Sequence, residues 1–122
     1  KAMLINGYSS SGGDALPYYF RKLGLGKLIG TRTWGGLIGI SGNPDLADGG
    51  LLLAATFRTM DTEGNWIVEN VGVSPDIEVL DRPELVNAGQ DPSLERAVKE
   101  LLKELEDNPR KSIKAPAAPT KF

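Results

Sequence analysis

A short apolar run that stops at a serine- and glycine-rich turn, restarts as a helix and returns as a second apolar run constrains this chain most. Residues 2–6, Ala-Met-Leu-Ile-Asn, are consistent with a buried strand in a mostly parallel sheet. Residues 7–13 are small and polar, a turn. Leu16, Tyr19, Phe20 and Leu23 then recur at helical spacing. Pro17 is tolerable if it falls in the first turn of that helix. Gly24 and Gly26 end the helix, and residues 27–31 form a second short strand. Residues 2–31 thus predict a strand–helix–strand unit of an α/β protein. The first strand is entered abruptly, which is unusual for a natural N-terminus, so a piece of a longer protein is expected.

The rest of the chain follows with weaker patterns. Residues 33–50 are glycine-rich, with Trp34, Gly35, Gly36, Gly39 and Gly42. Residues 51–60 are strand-like, residues 61–65 (Asp-Thr-Glu-Gly-Asn) carry a hairpin turn signal, and residues 66–70 return as the partner strand. A turn at Ser74, Pro75 and Asp76 leads into a last short strand. The final helix is the clearest element: Asp91 caps it and Pro92 takes its first position. Leu94, Ala97, Val98, Leu101, Leu102 and Leu105 make one apolar stripe on it, and Asn108-Pro109 ends it. The expected organisation is one domain over residues 1–106 and a flexible tail over residues 107–122.

Composition removes several kinds of chemistry. There is no cysteine, which excludes disulfides, thiol catalysis and zinc–thiolate sites. There is no histidine, the usual general base near neutral pH and the commonest metal ligand. Any catalysis must therefore use a lysine or a carboxylate, or borrow a histidine from elsewhere. With 14 basic and 16 acidic residues the net charge is −2, which gives no electrostatic reason to expect nucleic acid or an anionic membrane as partner. No apolar run approaches the roughly 20 residues of a membrane helix. No cofactor and no metal are expected.

Residues 8–13, Tyr-Ser-Ser-Ser-Gly-Gly, lie between a strand and a helix. There a serine hydroxyl is presented at a helix N-terminus, where unpaired N–H groups and the positive dipole end can hold an oxyanion. The spacing is a Ser-x-Ser-x-Gly variant of the nucleophile elbow, with Ser9 in place of the usual first glycine. Taken alone, such a run is more often a plain turn or a helix cap. A phosphate loop is excluded, because Gly13-Asp14 stands where Lys-Ser/Thr is required and Asp14 would repel phosphate. Residues 31–39 could grip a peptide carboxylate with consecutive N–H groups, since Gly-Leu-Ile-Gly resembles the binding loop of PDZ domains; a flexible loop is the plainer alternative. Glu69, near the end of a predicted strand, is either a solvated edge residue or a polar group held inward. Lys22, on the polar face of its helix, reads as surface charge.

Residues 6–14, 23–36 and 71–79, together with residues 91–97, closely resemble the tricorn protease family, in family order across roughly residues 2–106. The quoted stretches are Asn-Gly-Tyr-Ser-Ser-Ser-Gly-Gly-Asp, Leu-Gly-Leu-Gly-Lys-Leu-Ile-Gly-Thr-Arg-Thr-Trp-Gly-Gly, Val-Gly-Val-Ser-Pro-Asp-Ile-Glu-Val and Asp-Pro-Ser-Leu-Glu-Arg-Ala. The resemblance implies part of a catalytic domain of the crotonase/Clp-protease type, shared with the C-terminal processing peptidases. It implies Ser11 as nucleophile, the Gly12 N–H as oxyanion donor, and Glu69 as the acid that helps orient a histidine through a second serine. The family commonly has aspartate at the Gly12 position, so glycine removes any side-chain role there. The C-terminal processing branch places a catalytic lysine where this chain has Gly36, which disfavours a Ser–Lys dyad and favours a Ser–His arrangement.

The histidine, its neighbouring serine and a second oxyanion donor are then expected upstream, and this chain alone is expected to be inactive. The implied partners are a peptide or unfolded-protein substrate and the remainder of the catalytic domain, with a homo-oligomer left open. The expected compartment is cytoplasmic, with a periplasmic or secreted one left open. The rival expectations are a non-catalytic peptide-binding module and a remnant of the fold that serves only in assembly.

Overall fold

The computed structural model describes residues 1–118. Its elements are β1 (Ala2–Ile5), α1 (Gly12–Lys22), β2 (Lys27–Gly30), β3 (Ile77–Glu78), α2 (Pro83–Asn87) and α3 (Pro92–Asp107). The strands form one parallel sheet in the order β1-β2-β3. Ala2 pairs with Lys27 and Ile5 with Gly30, while Ile29 pairs with Ile77. The α/β class and the strand–helix–strand unit stand as expected.

The register decides which residues are covered. Leu28 faces a core of Ile5, Ile67, Val68 and Val73, against which Tyr18 and Phe20 of α1 pack. Its neighbours Lys27 and Ile29 point to the opposite face, as strand alternation requires. There Lys27 Nζ meets Glu100 of α3 at 2.9 Å. Leu28 and Ile29 are both fully buried, worth roughly 1.5–3 kcal/mol each.

Local chemistry explains the ends of the helices. Gly24, at φ 62°, closes α1: its N–H reaches the Arg21 carbonyl and the Leu25 N–H the Phe20 carbonyl, the paired bonds of a Schellman turn. The Asp91 carboxylate accepts the Leu94 N–H at 3.0 Å, with Pro92 at the first position of α3. Pro17 departs from expectation. Because α1 starts at Gly12, Pro17 is its sixth residue, beyond the first turn, and it is fully buried. The short helix α2 was not expected, although Pro83 at its start and Gly89 beyond its end are ordinary helix boundary residues.

The predicted hairpin is reduced to its turn. The Asp61 carboxylate accepts the N–H groups of Glu63 and Asn65, and the Asp61 N–H donates to the Asn65 carbonyl at 2.9 Å. Residues 51–60 and 66–70, however, form isolated bridges, Met60 to Trp66 and Gly39 to Phe57, instead of paired strands. Leu51, Leu52 and Leu53 all stand exposed, so no apolar layer rewards alternation. Val68 and Asn70, at φ 66° and 64°, break the return segment.

The apolar stripe of α3 is likewise only half used. Ala97 is buried, whereas Leu94, Val98, Leu102 and Leu105 are about half exposed. Residues 109–118 carry no helix or strand, and the last four residues of the expected tail lie outside the described residues.

One ion-pair cluster gives a pH-dependent prediction. Lys27 and Arg96 hold the Glu100 carboxyl below its ordinary range, through the hydrogen bond from Lys27 first. A lowered folded-state pKa contributes stability above the unfolded pKa, lost as pH falls through the folded value. Glu100→Gln is therefore expected to lower the thermal midpoint at neutral pH and to match the parent in acid, measured by melting at both pH values.

Candidate active site

The turn after β1 holds its serines in different ways. Ser9 is structural: its hydroxyl accepts the Asn6 N–H at 3.3 Å, and its N–H donates to the Asn6 carbonyl at 2.9 Å. Ser11 is the residue immediately before α1, at φ 53° and ψ −110°. For a residue with a side chain this is a sparsely populated conformation, of the kind that costs about 1–3 kcal/mol and clusters at functional sites. Its carbonyl accepts the N–H groups of Asp14 and Ala15, but its exposed side chain makes no capping bond. The plain reading of the turn as a helix cap therefore does not describe Ser11. Among the described residues its hydroxyl has no partner, and neither has the neighbouring Gly12 N–H. A strained serine hydroxyl and an uncommitted N–H at a helix N-terminus are the two groups an acyl-transfer site needs side by side.

Gly12 has open space where a side chain would project. Aspartate there fits, and an acidic residue in a first helical turn is favoured by the helix dipole. Gly12→Asp is expected to raise stability by about 0.3–1 kcal/mol, read from urea unfolding.

The loop after β2 is tied to the serine turn by its backbone. The Trp34 N–H donates to the Ser9 carbonyl at 2.9 Å, and the Ser11 N–H to the Gly36 carbonyl at 3.1 Å. A Cβ on Gly36 would run into the Trp34 indole, so the tryptophan fills the space a residue-36 side chain would need. Neither lysine near the serine turn in sequence replaces it: Lys22 lies over the Tyr18 ring, 3.8 Å from Asp61, and Lys27 is on the α3 face. Lys22 is a surface charge, as its helix position implied.

Glu69 is held inward, not solvated at a strand end. It is half-buried between Val68 and Asn70, both at positive φ, and its Oε2 accepts the N–H groups of Leu37 and Ile38 at 2.6 Å each. A β-branched residue such as Val68 is a genuine outlier in that conformation.

These bonds remove the basis of the carboxylate-gripping loop. Asp14 accepts the N–H groups of Gly35 and Gly36, Glu69 those of Leu37 and Ile38, and the Phe57 carbonyl that of Gly39. All five consecutive donors are already engaged within the chain.

Asp14 is the residue that sequence reasoning passed over. It is fully buried in the first turn of α1, with both oxygens committed to the 35–36 backbone. The available signal was an acid just after Gly12-Gly13 together with a second glycine pair whose donors needed an acceptor. Among the described residues no group of three potential metal ligands converges, and no helix is long and apolar enough to cross a membrane.

Comparison with known proteins gives the family of the chain. The chain belongs to peptidase family S41, which it matches over residues 1–79. It is 43% identical over 102 residues to the tricorn protease of Thermoplasma acidophilum, covering 84% of this chain and 10% of that protein. It is 41% identical over 107 residues to tricorn protease homolog 1 of Streptomyces coelicolor, covering 88% and 10%. The crystal structure of the tricorn protease superposes with a TM-score of 0.80 at 42% identity, over 86% of this chain and 10% of that one. The chain thus spans about a tenth of the length of these relatives.

Proposed function

We propose that this chain is the nucleophile-bearing part of a tricorn-like serine peptidase, with residues 1–106 as part of its catalytic domain and residues 107–122 as an appended tail. Ser11 Oγ attacks the scissile carbonyl of a peptide, and a histidine from outside this chain takes the hydroxyl proton. The Gly12 N–H stabilises the oxyanion. The histidine then protonates the leaving amine, and water hydrolyses the acyl-serine. Glu69 helps to orient that histidine through an intervening hydroxyl. The observation that carries the reading is the strained Ser11 elbow with its uncommitted hydroxyl beside an uncommitted Gly12 N–H. The absence of histidine makes the remainder of the domain a necessary partner.

The test is covalent. A fluorophosphonate incubated with the complete protein should leave its adduct on the tryptic peptide containing Ser11, with fragmentation placing it on that residue. Adduct on another residue, or none in a protein that hydrolyses peptides, would falsify the assignment. The peptide-binding rival is disfavoured by the engaged donors of residues 35–39.

A further inference from the structure

The Asp14 carboxylate bonds neither the Ser11 hydroxyl nor the Gly12 N–H, yet it is fully buried with both oxygens in use. What it holds is informative. The peptide group between Gly35 and Gly36 donates its N–H to Asp14 Oδ2 at 3.1 Å and accepts the Asn70 N–H at its carbonyl at 2.7 Å. The next peptide group, between Gly36 and Leu37, accepts the Ser11 N–H at its carbonyl at 3.1 Å and donates its N–H to Glu69 Oε2 at 2.6 Å. Two successive planar peptide groups thus each reach from the start of α1 to the turn at residues 69–70.

We infer that Asp14 is a positioning residue: by fixing residues 35–36 it turns a glycine loop into a pair of struts that set the separation of Ser11 and Glu69. The inference rests on the reading of Ser11 and Glu69 given above. Gly35 explains why a fixing group is needed. Its φ of 89° suits glycine, and a Cβ there would lie 2.7 Å from the Gly72 nitrogen, so no side chain can stiffen the loop from within. The stiffness comes from outside, from a carboxylate at the first turn of α1, where the helix dipole favours negative charge. Gly35 donates to the other oxygen, Oδ1, at 2.8 Å, so one side chain fixes two consecutive amides.

Asp14→Asn in the complete protein tests this. The amide offers one acceptor oxygen and turns its NH₂ toward a backbone donor, so one tie is lost without a change of size. The expected result is a kcat about 100-fold lower, the effect of a displacement of about 1 Å at a reacting group, with KM unchanged and kcat expressed per folded molecule. Parental kcat in folded Asp14→Asn, even with a lowered melting temperature, would make the residue purely structural and overturn the inference. So would a raised KM at parental kcat. Ser11→Ala, run alongside, separates the two claims: turnover retained there sinks the nucleophile assignment, whereas turnover lost there with Asp14→Asn unaffected sinks only the strut. If Asp14→Asn does not fold, hydrogen exchange in the unmutated protein decides. Amides of residues 35–37 should exchange as slowly as the interior of α1, and exchange at exposed-loop rates overturns the inference.

Discussion

Ser11→Ala in the complete protein is expected to lower kcat about 10⁶-fold, as loss of the nucleophile does in a serine peptidase, while leaving the fold intact. The exposed side chain of Ser11 carries no hydrogen bond within the described residues, so its removal costs no packing and no cap. The substitution keeps a residue with a Cβ at φ 53°, so the backbone strain is neither relieved nor increased. No neighbour stands ready to replace it. Ser9 already accepts the Asn6 N–H, and Ser10 precedes the elbow with its carbonyl accepting the Gly13 N–H. Ser10→Ala is therefore the control that should keep both labelling and turnover. Fluorophosphonate labelling and peptide turnover measured on both variants discriminate cleanly, and equal labelling of Ser11→Ala and the parent would remove Ser11 from the mechanism.

The strand, turn and helix around Ser11 were legible because their signals are local. Ser11 as nucleophile was implied by the family resemblance, and its turn is also tied to the distant backbone of Trp34 and Gly36. Residues 2–31 carry a strand, a turn and a helix in periodicity and glycine placement alone, and the parallel pairing of β1 with β2 follows from that order. The Asp91 cap and the Asp61 turn are local in the same sense. The parts that were not legible depend on residues far apart in the chain. Residues 51–60 look like a strand, but strand propensity is realised only against a neighbour and a covered face, and Leu51 to Leu53 have neither. Glu69 looks like an edge residue until the Leu37 and Ile38 amides, about thirty positions away, are brought to it. Asp14 reads as an ordinary first-turn acid until Gly35 and Gly36 arrive. Both carboxylates serve one glycine loop, and the loop's own sequence shows only that it is free to be shaped. The family resemblance implied a role for Glu69 in orienting a histidine, but not its bonds to the Leu37 and Ile38 amides.

Glu69→Gln is the second substitution with a large expected effect, and its interest lies in what it leaves standing. One glutamate oxygen, Oε2, accepts both the Leu37 and the Ile38 amide. The glutamine carbonyl can take over that position, so the 37–38 loop and the positive-φ turn at Val68 and Asn70 should survive. The other oxygen becomes an NH₂, a donor where the proposed relay to histidine requires an acceptor, and the negative charge that favours a cationic histidine is lost. Replacing the acid of a triad by its amide costs about 10⁴-fold when it bonds the histidine directly. Acting through an intervening hydroxyl, Glu69 should account for less, a kcat lower by about 10³-fold on that scale, with KM little changed. Glu69→Ala should add a structural loss, because two amides then lack their acceptor; its melting temperature should fall well below that of Glu69→Gln. Turnover and thermal unfolding measured on both variants separate the two duties of the carboxylate. Parental turnover in Glu69→Gln, combined with destabilisation in Glu69→Ala, would reduce Glu69 to an anchor for residues 37–38 and leave the proposed histidine to be oriented by groups outside this chain.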